Sequence, residues 1–315
     1  MKRISQKSCQ LSLAGFGILY FGWLIGQFTR DSTWLGGLCF YVPSVLVATV
    51  LFMFSSGAFI KKRFRWGILA AFLAVPALFT VLFVENSFSR PNLQSVDSVS
   101  PIRLVHWNIF GGQLGLQEVQ QSLASLEPEI IVLSEFPGDA SLENFAKLFG
   151  ENYSAVSEGN LAVIARGQLL AHGWHSKSQN SKFWSVTWNY QGQTVSVVVA
   201  DILANVSVHR NPELKKLTKI LTTHKPDFLV GDLNSPRRSL ALSQLPLGYQ
   251  HAYHSAGSGI GYTWPVPLPM YSLDHCIHGP RIVLVGYELH STIRSDHRLQ
   301  VFDFLIIGKT PFLTD

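Results

Sequence analysis

Three long apolar runs open the chain, Leu11–Thr29, Trp34–Phe54 and Trp66–Val84, and none contains Lys, Arg, Asp or Glu. About 20 residues of helix, rising 1.5 Å each, cross a ~30 Å hydrocarbon core. The runs lack the polar–apolar alternation of a helix lying on a soluble core, so the pattern predicts three transmembrane helices. The charges between them are unequal. Lys2, Arg3 and Lys7 precede the first run, and Lys61, Lys62, Arg63 and Arg65 separate the second from the third. The loop between the first two holds only Arg30 and Asp31. Positive loops stay in the cytoplasm. The N-terminus is therefore expected inside and everything after Glu85 outside. No small-x-small exit follows the first run and two more runs come after it, so a cleaved signal peptide is not expected.

Residues 86–101 are polar, serine-rich and contain two prolines, the composition of a linker. Beyond them, from 102 to 315, the pattern changes to short apolar runs separated by helical stretches. Strands are predicted at Arg103–Ile109, Ile130–Phe136, Leu161–Arg166, Phe183–Tyr190, Thr194–Ile202, Phe228–Asp232, Leu273–His278, Ile282–Tyr287 and Leu299–Ile306. Helices are predicted at Gly115–Leu126, Leu142–Phe149, Pro212–Thr223 and Arg237–Gln244, with Asn211 as a cap before Pro212. The close pair of strands around Gly192 makes the sheet arrangement mixed rather than purely parallel. The fold class is α/β.

Composition sharpens this division. The net charge of +5 sits unevenly: residues 1–90 carry nine Lys/Arg against two acids, and residues 91–315 carry 16 against 18. The second part is therefore near neutral, with all eleven histidines, and a broad basic surface for nucleic acid is disfavoured. Of the three cysteines only Cys276 lies there, so no disulfide closes within it. His251, His254, His275 and His278 have no zinc-type partnership with cysteine, and no structural zinc is expected.

Polar residues end many of the predicted strands. RLVHWN ends at Asn108, IIVLSE at Glu135 and DFLVGDLN at Asp232 and Asn234, while SLDH contributes Asp274 and SDH contributes Asp296 and His297. Functional groups of α/β folds gather at strand ends. One such acid is ordinarily a turn or helix cap; this many in succession point to chemistry. These motifs, over Ile102 to about Phe304, resemble the endonuclease/exonuclease/phosphatase family of metal-dependent phosphoesterases. The resemblance implies a four-layer α/β sandwich with two mixed sheets, preceded here by the three transmembrane helices. It implies Mg²⁺ or Mn²⁺ as cofactor, with Glu135 as metal ligand and Asn108 and Asp296 completing or supporting the site. Asp232 would orient or deprotonate the attacking water, Asn234 would bind a phosphate oxygen, and His297, oriented by Asp274, would stabilise the developing charge.

The sequence departs from the family at one place. The family's phosphate-binding His at the end of a central strand is Asp201 here, in VSVVVADIL. An ionised carboxylate cannot donate to phosphate. His209 and Arg210, shortly after, are candidate replacement donors for substrate binding. The loop Gly257–Pro269 is expected to form an apolar rim near the site, with Tyr262 and Trp264 mainly packing. Overall the chain is similar to the bacterial membrane-anchored members, such as the teicoplanin-resistance type. That likeness implies a lipid-linked phosphate or pyrophosphate as substrate, such as undecaprenyl pyrophosphate, met outside the cytoplasm. An extracytoplasmic nuclease and a catalytically silent binding module are the alternatives. No protein partner is implied.

Overall fold

The computed structural model describes residues 2–89, 100–138 and 140–307, with side chains described from residue 15 onward. The chain forms two compact units. One comprises Met1–Glu85, Asn205–Pro212 and Arg238–Leu240; the other holds the remainder.

The first unit is helical: α1 (Lys2–Thr29), α2 (Trp34–Phe40), α3 (Ser44–Ile60) and α4 (Phe64–Phe79). The second apolar run is not one helix, as the sequence suggests, but α2 and α3 bent by 51°. The break falls before Pro43, which has no N–H and forces Val42 out of helical geometry. Pro76 lies inside α4, and a π-helical turn at Thr80–Val84 follows it, where the Thr80 hydroxyl donates to the Pro76 carbonyl at 2.9 Å. Among the described residues, Phe64–Val84 is long and apolar enough to cross a membrane, and α2 with α3 qualifies if the bent pair is one span. The expectation of three straight spans is corrected to that extent; Leu11–Thr29 lies in α1, part of whose side chains fall outside the described residues. Tyr20, Trp23, Val47, Leu51, Ala70 and Ala77 pack between α1, α3 and α4. The outward faces are apolar too, with Ile18, Phe52 and Phe72 each at least 70% exposed.

The second unit is the α/β part. Its strands are β1 (Asn86–Phe88), β2 (Ile102–Asn108), β3 (Ile130–Ser134), β4 (Tyr153–Glu158), β5 (Leu161–Arg166), β6 (Gln168–Lys177) and β7 (Ser181–Tyr190). Then follow β8 (Gln193–Ile202), β9 (Phe228–Asp232), β10 (Gln250–His251), β11 (Ser258–Ile260), β12 (Asp274–His278), β13 (Ile282–His290) and β14 (Leu299–Ile306). Two six-stranded sheets run β10-β12-β9-β8-β7-β6 and β13-β14-β2-β3-β5-β4, and both are mixed, with β8 parallel to β9 and β2 parallel to β3. β1 pairs with β11, so Asn86–Phe88 is a short strand rather than linker; most of the expected linker lies outside the described residues.

Strand alternation builds the layers. Leu104, Ile130, Val132, Val197, Val199, Phe228 and Val230 turn inward and join the sheets in one core. Their neighbours Val105, Ile131 and Leu133 pack instead under Val119 and Leu123 of α5 (Leu116–Ala124) and Phe145 of α6 (Leu142–Ala146). On the other outer face Val198 and Leu229 meet Leu214, Leu217 and Leu221 of α7 (Asn211–His224). The helix predicted at Arg237–Gln244 is a string of turns. The stretch is short, contains Ser239 and Ser243 and is followed by Pro246, too little to offset helix nucleation. β4, β6 and β10, absent from the sequence reading, are all edge strands, whose half-exposed faces lack a clean apolar alternation.

Candidate active site

The same alternation places a row of ionisable groups at one end of the sheets. In β7, β9 and β12 the even-numbered residues face the inter-sheet core, and in β8 the odd-numbered ones do. By that parity Lys182, Asp201, Asp232 and Asp274 all face the space between the sheets. They are direct cross-strand neighbours: Lys182 opposite Asp201, Asp201 opposite Asp232, Asp232 opposite Asp274. From the opposing sheet, Asn108 at the end of β2 closes the gap, its Nδ2 donating to Asp232 Oδ2 at 2.9 Å and to Glu135 Oε1 at 3.1 Å. The Asn108 Oδ1 accepts the Phe110 N–H at 3.0 Å, which fixes the amide's orientation. Glu135 and Asn234 both adopt left-handed backbone, with φ of 55° and 48°. For glutamate this conformation is costly and marks a site worth its strain. Gly231 has no room for a side chain, because a Cβ there would overlap the Ala200 carbonyl oxygen.

His297 lies in the loop before β14. Its Nδ1 donates to Asp274 Oδ2 at 2.8 Å, and its Nε2 stands 3.8 Å from Asp232 Oδ2. The ring is held from several sides. Ser295 Oγ donates to the Asn108 carbonyl at 2.7 Å and accepts the His297 N–H at 3.0 Å, and Trp107 Nε1 donates to the His297 carbonyl at 3.0 Å. Below Asp274, the Thr263 hydroxyl accepts the Asp274 N–H at 3.2 Å, and His106, fully buried, hydrogen-bonds Gln300 and Ser134 at 3.1 and 3.2 Å.

Burial and the neighbouring Asp274 push the Asp232 carboxyl up to about 8, against the pull of His297. Burial disfavours charge on His297, yet Asp274, by charge and hydrogen bond, outweighs it and raises the imidazole to about 10. Asp274 itself is drawn below the usual carboxylate range: burial works against that, and the charge of His297 overcomes it. The cluster is thus an imidazolium between an ionised carboxylate and one that holds protons unusually well, the pairing expected of acid–base chemistry.

Asp232, Asp274 and His297 each offer a ligand atom within 4.8 Å of the others and so have the donor set for a cation. In this group Asp274 Oδ2 accepts from His297 Nδ1, while Asp274 Oδ1 has no hydrogen-bond partner among the described residues. Asp296 has a buried Oδ1 with no hydrogen-bond partner among the described residues, while its Oδ2 accepts the Trp264 Nε1–H at 2.9 Å. Carboxylate oxygens such as those of Asp296 and Glu135 suit hard divalent ions like Mg²⁺ or Mn²⁺. As oriented, Asn108 supports Glu135 through its nitrogen instead of presenting its oxygen.

Of the remaining sequence-derived candidates, Asn234 donates its Nδ2 to the Ile202 carbonyl at 2.9 Å and its backbone N–H to Asp232 Oδ1 at 2.9 Å, so it braces the Asp232 loop. Asp201 Oδ2 accepts from Asn160 Nδ2 at 3.0 Å and lies 3.8 Å from Lys182 Nζ. His209 Nε2 lies 2.8 Å from the Asp31 carbonyl oxygen, and the Arg210 guanidinium sits 5.0 Å over the Tyr41 ring, both within the helical unit. Trp264, read from sequence mainly as packing, instead bonds Asp296, and its ring centroid lies 6.4 Å from that of His297. Lys182, Asn160 and Thr263 carried no separate signal; Ser295 was marked only as the first residue of the SDH motif. Only Lys182 was traceable, through strand parity with Asp201, and that needs the pairing to be known.

A family model described as Endonuclease/Exonuclease/phosphatase family matches residues 105–297. No curated protein matches the chain. Among solved structures, D. rerio TDP2 complexed with single-strand DNA product is similar at 15% identity, covering 66% of this chain and all of that one (100%), with a TM-score of 0.53. Truncated Caenorhabditis elegans TDP2 is 19% identical over 65% of this chain and 97% of its own, with a TM-score of 0.52. An endonuclease/exonuclease/phosphatase family protein from Bacteroides thetaiotaomicron is 10% identical over 67% and 100%, also with a TM-score of 0.52. At these identities the likeness is one of fold.

Proposed function

Because the chain belongs to the endonuclease/exonuclease/phosphatase family of metal-dependent hydrolases, we propose that it is a membrane-anchored phosphatase of lipid-linked phosphate or pyrophosphate, with residues 102–315 outside the cytoplasm. The observation that carries the hydrolytic reading is His297 held between Asp274 at 2.8 Å and Asp232 at 3.8 Å, with Asn108 tying Asp232 to Glu135. The anchoring rests on Phe64–Val84 and on the apolar outer faces of the helical unit. The orientation rests on the basic loops Lys2–Lys7 and Lys61–Arg65. A tethered site meets lipid-linked phosphate at high effective concentration.

Glu135 and Asp296, with Asn108 beside them, are the residues that would hold the ion. Bound there, Mg²⁺ or Mn²⁺ would draw charge from the phosphoryl oxygens as water attacks. Asp232, whose carboxyl takes a proton readily, orients the water and accepts its proton. His297 presents its Nε2 side to the phosphoryl group and balances the charge that builds there. Asp274 keeps the ring in place and charged. Asn234 holds the Asp232 loop in its left-handed turn and offers its second amide hydrogen to a phosphate oxygen.

Full-length protein in detergent tests this directly, assayed with Mg²⁺, Mn²⁺ or EDTA against undecaprenyl pyrophosphate, a phospholipid panel, and single- and double-stranded DNA. Turnover of lipid phosphate that EDTA and Asp232→Asn both abolish is the expected result. DNA cleavage in its place would make the protein a nuclease, and no turnover of any substrate would leave a binding module.

A further inference from the structure

The row at the sheet ends contains one cation that the mechanism leaves unused. Lys182 Nζ donates to Asn160 Oδ1 at 2.5 Å and stands 3.8 Å from Asp201 Oδ2, while Asn160 Nδ2 donates to that same oxygen at 3.0 Å. The three side chains form a closed ring that fixes the ammonium in position. An ammonium has three N–H groups. One is on Asn160 and one faces Asp201, which leaves a donor on a side chain that is 35% exposed. A partly exposed Lys–Asp pair adds little stability by itself. Its position is more telling: the site around it holds Asp201, Asp232 and Asp274 in adjacent register, so an anionic substrate needs a fixed positive charge there.

We propose that Lys182, braced by Asn160 and Asp201, binds the phosphate adjacent to the one being hydrolysed, so that the site is built for diphosphate esters; this rests on the hydrolase reading above. Asp201 is one strand spacing, about 4.8 Å, from Asp232. Two bridged phosphates extend over that distance and one does not. Water adds to the outer phosphorus and gives its proton to Asp232. The bond to the bridging oxygen breaks and orthophosphate departs. The inner phosphate leaves as the monophosphate ester, and Lys182 neutralises the charge gained on it. The row also accounts for Asp201: its carboxylate faces the lysine and, with Asn160, aims it.

The test uses the full-length chain in detergent with farnesyl diphosphate and farnesyl monophosphate, reading orthophosphate release as the ratio of the two kcat/KM values. Lys182→Met is expected to lower that ratio at least tenfold, mainly through KM for the diphosphate, and Lys182→Arg to restore it to within threefold. A ratio that Lys182→Met leaves unchanged, whether both rates fall together or neither does, overturns the assignment. Wild-type protein without metal-dependent turnover of either ester overturns the hydrolase reading, and this assignment with it. Matching thermal melts of the three proteins exclude misfolding as the cause of a lowered ratio.

Discussion

His297 depends chiefly on Asp274 for its orientation and charge, with Asp232 and Asp296 adding to the charge. Asp274→Asn keeps the shape of that partner and removes its charge. Turnover is expected to fall roughly 10²- to 10⁴-fold, the range of a misaligned acid–base group, and the imidazole pKa, followed by NMR, to drop from about 10. Other histidines act in the opposite sense. His275 donates its Nε2–H to the Ser235 carbonyl at 2.7 Å and is held down to about 3, first by burial and then by Arg237. His251 and His106 are also lowered by burial. In the unfolded chain each takes up a proton below about 6.5, and in the native state His275 does not until about 3. Between those values the unfolded state binds more protons, so stability falls as pH falls. From pH 7.5 to 5.5 His275 alone is expected to remove about 1.4 kcal/mol, with His251 and His106 adding in the same direction. The difference in urea midpoint between wild type and His275→Gln, compared at the two pH values, checks this, because His297 and Asp232 contribute equally to both proteins. His297 works the other way: above about 6.5 its unfolded form is neutral while the folded form keeps its proton up to about 10, so its stabilisation grows as pH falls toward 6.5.

At the scale of elements, the turns after the strands set the geometry. In β9 the segment Gly231–Asn234 passes so close to β8 that Gly231→Ala drives a methyl group into the Ala200 carbonyl. A backbone partner cannot step aside as a side chain can. The expected loss is about 3 kcal/mol or more, visible as a lowered thermal midpoint together with lost activity. In the loop before β12, Trp264→Phe keeps the ring and removes the N–H that Asp296 accepts. Support of this kind for a ligand is worth roughly tenfold in metal affinity. A Mn²⁺ titration of activity is expected to shift by that factor, with little change in the thermal midpoint.

At the scale of the whole molecule, the chain is expected to stay in the membrane pellet after alkaline extraction, and a reporter fused after Ile307 to be active outside the cytoplasm. The near-neutral charge of residues 91–315 gives a third expectation. Between 50 and 200 mM salt, lipid-phosphate turnover changes little, whereas a protein gripping several DNA phosphates loses affinity by orders of magnitude. Periodicity alone was enough to place the apolar helical part before the α/β part, because hydrophobic runs and strand alternation are local properties. Asn108, Glu135 and Asp232 stood out in the sequence because each ends a strand or follows one closely, and Asp274 and His297 because they stand in the short LD and SDH motifs that lead into one. The bend at Pro43 and the edge strands β4, β6 and β10 did not, since exposure at an edge erases the alternation that marks a strand. Sequence by itself determined which residue types end the strands, and hence the oxygen-rich, histidine-bearing chemistry. Tertiary structure decided who meets whom. Register set Lys182, Asp201, Asp232 and Asp274 side by side, because cross-strand neighbours are chosen by sheet pairing between segments far apart in the chain.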